Sequence, residues 1–298
     1  MRYSLVNRVR GTFLGAFLGE SLSKPNSSSL GKIAVLGTES LISLGKLDVD
    51  DWLKRQEKAG IELDTNINSW GQIILATLPV VIFFHENPVK MRENILEVLK
   101  ILSWQYEPVV RDASLIIGYA IAKSLNEKLN PRTVISETVS FLGKTATCLP
   151  QQLIKVNDLL EEKATLATVQ RELSSPEKLT MNIGLAFYCF LSTLEDFPLT
   201  VLRANQNHQF ANQDVTGAIA GALSGAYNSI VGIPVNWQMS PSPTKSHESG
   251  LHSFTQMLKL ADQMMAAWSG VYDFSYDCCE FIETGYTIFA SPHIIRRR

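Results

Sequence analysis

The sequence has no apolar run long enough to cross a membrane. Its longest, Ile73 to Phe84, is twelve residues with Thr77 and Pro79 inside it, against the ~20 that a spanning helix needs. That stretch therefore reads as a buried helix, and no membrane insertion is expected. An excess of either charge is missing too, since 27 Lys and Arg face 29 Asp and Glu for a net charge of -2. Without a basic stripe interleaved with aromatics, nucleic acid is not an expected partner. Cysteine is scarce. The four cysteines, two of them adjacent at Cys278 and Cys279, make neither a spaced zinc motif nor a disulfide framework, and they read as reduced, buried thiols. The five histidines are scattered, and no Ser/His/Asp set, nucleophilic-cysteine context or phosphate loop stands out. Arg2, Arg8 and Arg10 precede a short apolar stretch, but no small-residue cleavage site follows, so a cytoplasmic protein is expected.

Few apolar and polar residues alternate, so no sheet is required and the periodicity is helical. Helices are expected near residues 5 to 22, 70 to 84, 90 to 105, 111 to 127, 131 to 144, 150 to 162, 165 to 173, 177 to 194, 197 to 204, 215 to 230 and 252 to 269. Asn130 before Pro131, and Ser175 before Pro176 and Glu177, place a capping side chain ahead of a proline at the first helical position. Loops are expected at Lys24 to Gly31, Gln206 to Gln213 and Gln238 to Gly250. Asp273, Asp277, Glu280 and Glu283 recur at helical spacing and, with His293, could form an acidic site. A solvated helix face, balanced by Arg296, Arg297 and Arg298, is the stronger reading of them.

Two segments share an unusual spacing of glycine. Gly217, Gly221 and Gly225 fall four apart, as do Gly11, Gly15 and Gly19 near the N-terminus. On a helix each set forms one row. An interior glycine costs about 1 kcal/mol against alanine, so a row needs a compensating gain, and close approach of the two helices supplies one. The rows are architecture, and chemistry has to come from their flanks.

With Arg8, Arg10, the first glycine row and Glu20, and with Asn212 to Tyr227 followed by Ile233, Pro234 and Trp237, the chain resembles the ADP-ribosylglycohydrolase family. The family opens with Arg-x-Arg-Gly-x-x-x-Gly-x-x-x-Gly-Asp, where this chain has Glu20 for the aspartate. The resemblance covers residues 8 to 23 and 183 to 237. It implies one compact, all-α, multi-helix orthogonal domain over residues 1–298. It also implies two magnesium ions held by a Thr-Asp-Asp-Thr motif before an early helix and an Asp-x-Asp motif before a late one. Alignment on Gln72 puts Asn68, Ser69, Trp70 and Gly71 on the first motif. In the second, Asn212 replaces the first aspartate, Asp214 keeps the second, and Val215 takes the place of a threonine, with Thr216 one residue on. Of four implied carboxylates one remains. The family's Gly-Asn-Gly segment followed by Met-Arg and Pro-Leu is not found.

Two divalent ions need several anionic oxygens to offset dehydration and mutual repulsion. Asn212 and Ser69 offer neutral oxygens, and Trp70 offers volume. No metal and no cofactor is therefore expected. Asp214 could ligate one ion, but an N-cap of the glycine-row helix is the favoured reading. Asn68 and Ser69 could likewise be caps, and Trp70 a plug. The expected function is that of a catalytically inactive relative serving as a binding or regulatory protein. Its partner would be a protein of unknown identity, with ADP-ribose or a nucleotide as a possible ligand. Two alternatives stay open: an ADP-ribosyl glycohydrolase with an altered or single-metal site, and a structural partner in a larger assembly.

Overall fold

The computed structural model describes residues 2–22, 30–61, 70–101, 107–175, 177–206, 213–238 and 254–271, and among them every regular element is helical, as expected. Helix α1 (Leu5–Ser21) begins at Ser4, whose hydroxyl accepts the Asn7 amide at 3.3 Å and satisfies one of the open donors of the first turn. Two helices follow where the sequence reading assigned none, α2 (Leu30–Leu44) and α3 (Val49–Lys58). The start of α3 carries a visible signal. Asp48 caps it by accepting the Asp51 amide at 3.1 Å, with Asp50 and Asp51 in the first turn and Arg55 and Lys58 in the last, each charge placed to suit the helix dipole. Trp52 of α3 packs on Gly37 of α2, where a Cβ would collide with the indole.

The single helix expected over 70 to 84 is two, α4 (Trp70–Ala76) and α5 (Leu78–Phe83). Pro79 has no amide to give the Leu75 carbonyl and its ring crowds that oxygen. The break falls at Thr77, whose hydroxyl donates to the Ile74 carbonyl at 2.7 Å. Then come α6 (Pro88–Ile101), α7 (Pro108–Leu125), α8 (Val134–Leu142), α9 (Leu149–Glu161), α10 (Leu166–Glu172), α11 (Lys178–Ser192), α12 (Phe197–Asn205) and α13 (Gln213–Asn228). A 3-10 turn, Ile230–Gly232, leads to the short α14 (Val235–Gln238), and α15 (Phe254–Ser269) closes the described chain. The two expected proline-associated caps shift. Asn130 opens a turn instead, its side chain accepting the Arg132 amide at 3.0 Å, and Thr133 stands at the N-cap position of α8 with its hydroxyl turned to Glu137 at 2.6 Å. Glu177, not Ser175, stands at the N-cap of α11.

Helix α11 buries every residue from Leu179 to Phe190, and α7 nearly every one from Val109 to Leu125. Helices apolar all round belong at the centre, and here they support α13. The outer helices are pinned by arginines. Buried Arg8 donates to the Leu125 carbonyl at 2.9 Å and the Ser124 carbonyl at 3.3 Å, closing the end of α7, and it pairs with Glu127. Arg10 grips Asp262 of α15 with Nε at 2.6 Å and Nη2 at 2.8 Å, a bidentate fork. Among the described residues no helix is long and apolar enough to cross a membrane.

The thiols divide. Cys189 is buried and free, and burial pushes it up to about 12. Cys148 is exposed rather than buried, because it sits at the start of α9 and not on an inward face. Its thiol is also raised, by desolvation first and then by Glu177. Neither is primed as a nucleophile. Cys278 and Cys279 lie outside the described residues.

His85 follows α5, buried, with Nδ1 2.7 Å from the Ile82 carbonyl and its ring 5.2 Å from that of Trp268 in α15. Burial lowers its pKa from 6.5. A histidine whose folded value is depressed binds fewer protons folded than unfolded, so its contribution is complete above the unfolded value and is lost as pH falls below it. From about pH 7.5 down to about pH 5 the melting temperature of the parent should fall more than that of His85→Phe, which keeps a ring against Trp268. Equal slopes of melting temperature against pH for the two proteins would show that His85 carries none of the acid sensitivity.

Candidate functional site

The glycine rows of α1 and α13 face each other in antiparallel register. A Cβ on Gly11 would fall within 3.0 Å of the Gly225 carbonyl oxygen, on Gly15 of the Gly221 oxygen, and on Gly19 of the Gly217 oxygen, and each reverse substitution meets the partner glycine's carbonyl. The backbones are in direct contact, as the spacing predicts. The register carries the end of α1 to the start of α13. There Asn205, the last residue of α12, donates from Nδ2 to the Gly19 carbonyl at 3.2 Å, and its Oδ1 lies where a Cβ on Gly217 would go. Glu20, at the position of the family aspartate, is only 3% exposed at this junction.

Helix α4 arrives from another side. Leu75 packs with Ala218 and Ala16, and in its first turn Gly71 lies against Val215, so that a Cβ on Gly71 would strike both Val215 methyls. The starts of α4 and α13, which carry the two motifs singled out in the sequence, thus meet. Two positive helix ends converge with the negative ends of α1 and α12, an arrangement in which the dipoles partly offset one another.

Of the candidate residues, Asn68, Ser69 and Asn212 lie outside the described residues, and only the backbone of Trp70 and Asp214 is described. Trp70 is the first residue of α4. Asp214 is the second residue of α13, so it stands in the first turn and not at the N-cap. A carboxylate there still suits the dipole. Thr216 is 1% exposed, and its Oγ1 has no hydrogen-bond partner. An unpaired buried hydroxyl is unfavourable by about 1 to 3 kcal/mol, so Thr216 has acceptor and donor capacity to spare at this junction. The acidic candidates from Asp273 to Glu283, and His293, lie outside the described residues, as do most of the loops expected at Gln206 to Gln213 and Gln238 to Gly250.

A second buried polar cluster escaped the sequence reading. Asp112 of α7 is fully buried and accepts from the hydroxyls of Thr145 and Thr147, the latter at 2.7 Å, and from Arg111 Nε at 2.9 Å. It ties the α8–α9 connection to α7.

With this geometry established, comparison with known proteins gives a consistent result. A family model described as ADP-ribosylglycohydrolase matches residues 36–273. A solved structure described as an ADP-ribosylglycohydrolase-related protein complex superposes with a TM-score of 0.60 at 15% identity, covering 89% of this chain and 99% of that one. At that identity the likeness speaks to the fold alone. No curated protein matches.

Proposed function

This chain belongs to the ADP-ribosylglycohydrolase family, and from that membership we propose that its two-ion hydrolysis has been dismantled and its scaffold now serves as a binding or regulatory protein. The observation that supports this most is the contact of Val215 with Gly71. By the resemblance both stand at threonine positions of the two metal motifs, and both have lost an oxygen. Val215 is 2% exposed and presents hydrocarbon where the helix starts meet. Asn68, Ser69 and Asn212 replace threonine or aspartate with neutral groups, and Trp70 has no oxygen in its side chain. This donor set does not fit two divalent cations, whose close spacing requires anionic bridging.

A single-ion enzyme is the second reading. The unpaired Thr216 hydroxyl favours it, but Thr216 is two residues beyond Asp214, a spacing that turns two side chains to different faces of a helix. One neutral and one anionic protein oxygen leave most of a magnesium octahedron to water, so binding would be weak.

The test is a melting series with ADP-ribose, with and without magnesium or manganese, alongside hydrolysis assays on ADP-ribosyl-arginine and ADP-ribosyl-serine. Metal-free protein should be stabilised by ADP-ribose itself, by about 2.7 kcal/mol at a hundred times the dissociation constant, with no turnover. Chelator-sensitive turnover, or two ions per chain on metal analysis, would overturn the proposal. Stabilisation by neither ligand nor metal would move the function to a surface away from this junction.

A further inference from the structure

We infer that Val215 seated on Gly71 is an apolar clasp that holds the starts of α4 and α13 together in place of ions, and that it bars a divalent cation from entering between them. The inference rests on the family reading above, which supplies the positions of the two lost threonines. Helix α4 is seven residues long and is cut off from α5 at Thr77 and Pro79. A helix that short has little stability of its own, so packing sets where it lies. Its first turn meets the first turn of α13 beside the ends of α1 and α12, whose negative dipole ends offset much of the mutual repulsion, so side-chain packing decides how the two starts meet.

The hollow at Gly71 receives the Val215 side chain so closely that a Cβ added there would collide with Cγ2 of Val215 and sit tightly against Cγ1 at 3.0 Å and Cβ at 3.1 Å. A threonine at position 71 is therefore incompatible with Val215 as it sits, and the glycine and the valine form one complementary unit. Leu75 of α4 and Ala218 of α13 continue the seam as buried hydrocarbon. An ion placed in this contact would have to displace methyl groups and shed its water without gaining oxygens. The join is closed without metal, and closed against it.

A melting-temperature cycle over Gly71→Ala, Val215→Ala and the double variant tests the clasp directly. Each single substitution should lower the melting temperature, the first by collision and the second by leaving a cavity. The double variant should lose clearly less than the sum, because the new methyl occupies space the valine has left. Additive losses would mean that the two residues do not share that space. The barrier is tested by magnesium titration of Ser69→Asp/Trp70→Asp/Asn212→Asp, with and without Val215→Thr, which exchanges a methyl for an oxygen in the same volume and leaves Gly71 in place. The three restored carboxylates alone should leave the melting temperature indifferent to magnesium, and adding the threonine should make it rise with the ion. A rise in the triple variant alone would remove the barrier and leave the loss of hydrolysis in the parent intact. A folded four-residue variant indifferent to the ion would overturn the barrier as well. A rise in the unaltered protein would instead sink the proposed function.

Discussion

Replacing Gly221 with leucine is expected to destabilise the protein by about 3 kcal/mol or more and to lower its melting temperature by roughly 5 °C or more. Gly221 is the middle of the α13 row, and its nearest neighbours across the interface are the carbonyl oxygen and carbon of Gly15, both inside 3.0 Å of an added Cβ. A flexible side chain could swing away, but backbone cannot. To admit even one methyl the two helices must separate, and separation opens the whole seam from Gly11 to Gly19.

The alanine variant decides the cause. On a free helix surface Gly→Ala stabilises by about 1 kcal/mol, because alanine has the higher helix propensity. At Gly221 the sign should invert. Gly60 provides the contrast, since a Cβ there meets nothing within 4 Å but its φ of +63° disfavours any side chain, so a loss at Gly60 reports backbone strain and not packing. Denaturant unfolding of Gly221→Ala and Gly221→Leu measures both effects. Gain of stability in the alanine variant would show that the row is not in backbone contact.

That seam could be read from the sequence because a backbone-to-backbone contact excludes every side chain, and its trace is glycine at a fixed spacing on each partner. Helix α3 is hard to read although Asp48, Asp51 and Arg55 spell out a start and an end, because it is short and strongly polar, so its buried Val49, Trp52 and Gln56 make only a sparse apolar pattern. Helix α2 starts at Leu30, inside the loop expected from Lys24 to Gly31. The break at Thr77 was visible as Pro79, yet the apolar run on both sides of it reads as one helix until the missing amide is counted. Gly71 and Val215 fell at the site positions by alignment alone. Their contact depends on how α4 leans on α13, and no local spacing encodes that. Asp112 was the hardest to foresee. Its hydroxyl partners are 33 and 35 residues away in a connection, and in sequence it is one charge at the head of an apolar helix.

Asp112→Ala is expected to lower stability by about 2 to 4 kcal/mol. The carboxylate is 1% exposed and the Arg111 guanidinium 37%. Removing the acid strands its partners unequally. Arg111 can turn to water, so its share is small, and Arg111→Ala should shift stability by under about 1 kcal/mol. Thr147 is among the buried residues, and its hydroxyl, like that of Thr145, would lose the acceptor that orients it, leaving a buried donor at about 1 to 3 kcal/mol. Asp112→Asn keeps the volume and one acceptor oxygen and should lose roughly half as much as alanine, because hydrogen bonds to a charged acceptor are about twice as strong as neutral ones. Thr147→Val removes one bond with little change of volume and should fall between asparagine and Arg111→Ala. The order to be measured by urea unfolding is therefore alanine, asparagine, Thr147→Val and Arg111→Ala, from largest loss to smallest. Because the cluster ties the α8–α9 connection to α7, hydrogen exchange in residues 143 to 148 should quicken with the same ranking. If Arg111→Ala proves as damaging as Asp112→Ala, the ion pair and not the two hydroxyls holds that connection down. Loss confined to Asp112→Ala, with Asp112→Asn near the parent, would show that an oxygen is needed there and a charge is not.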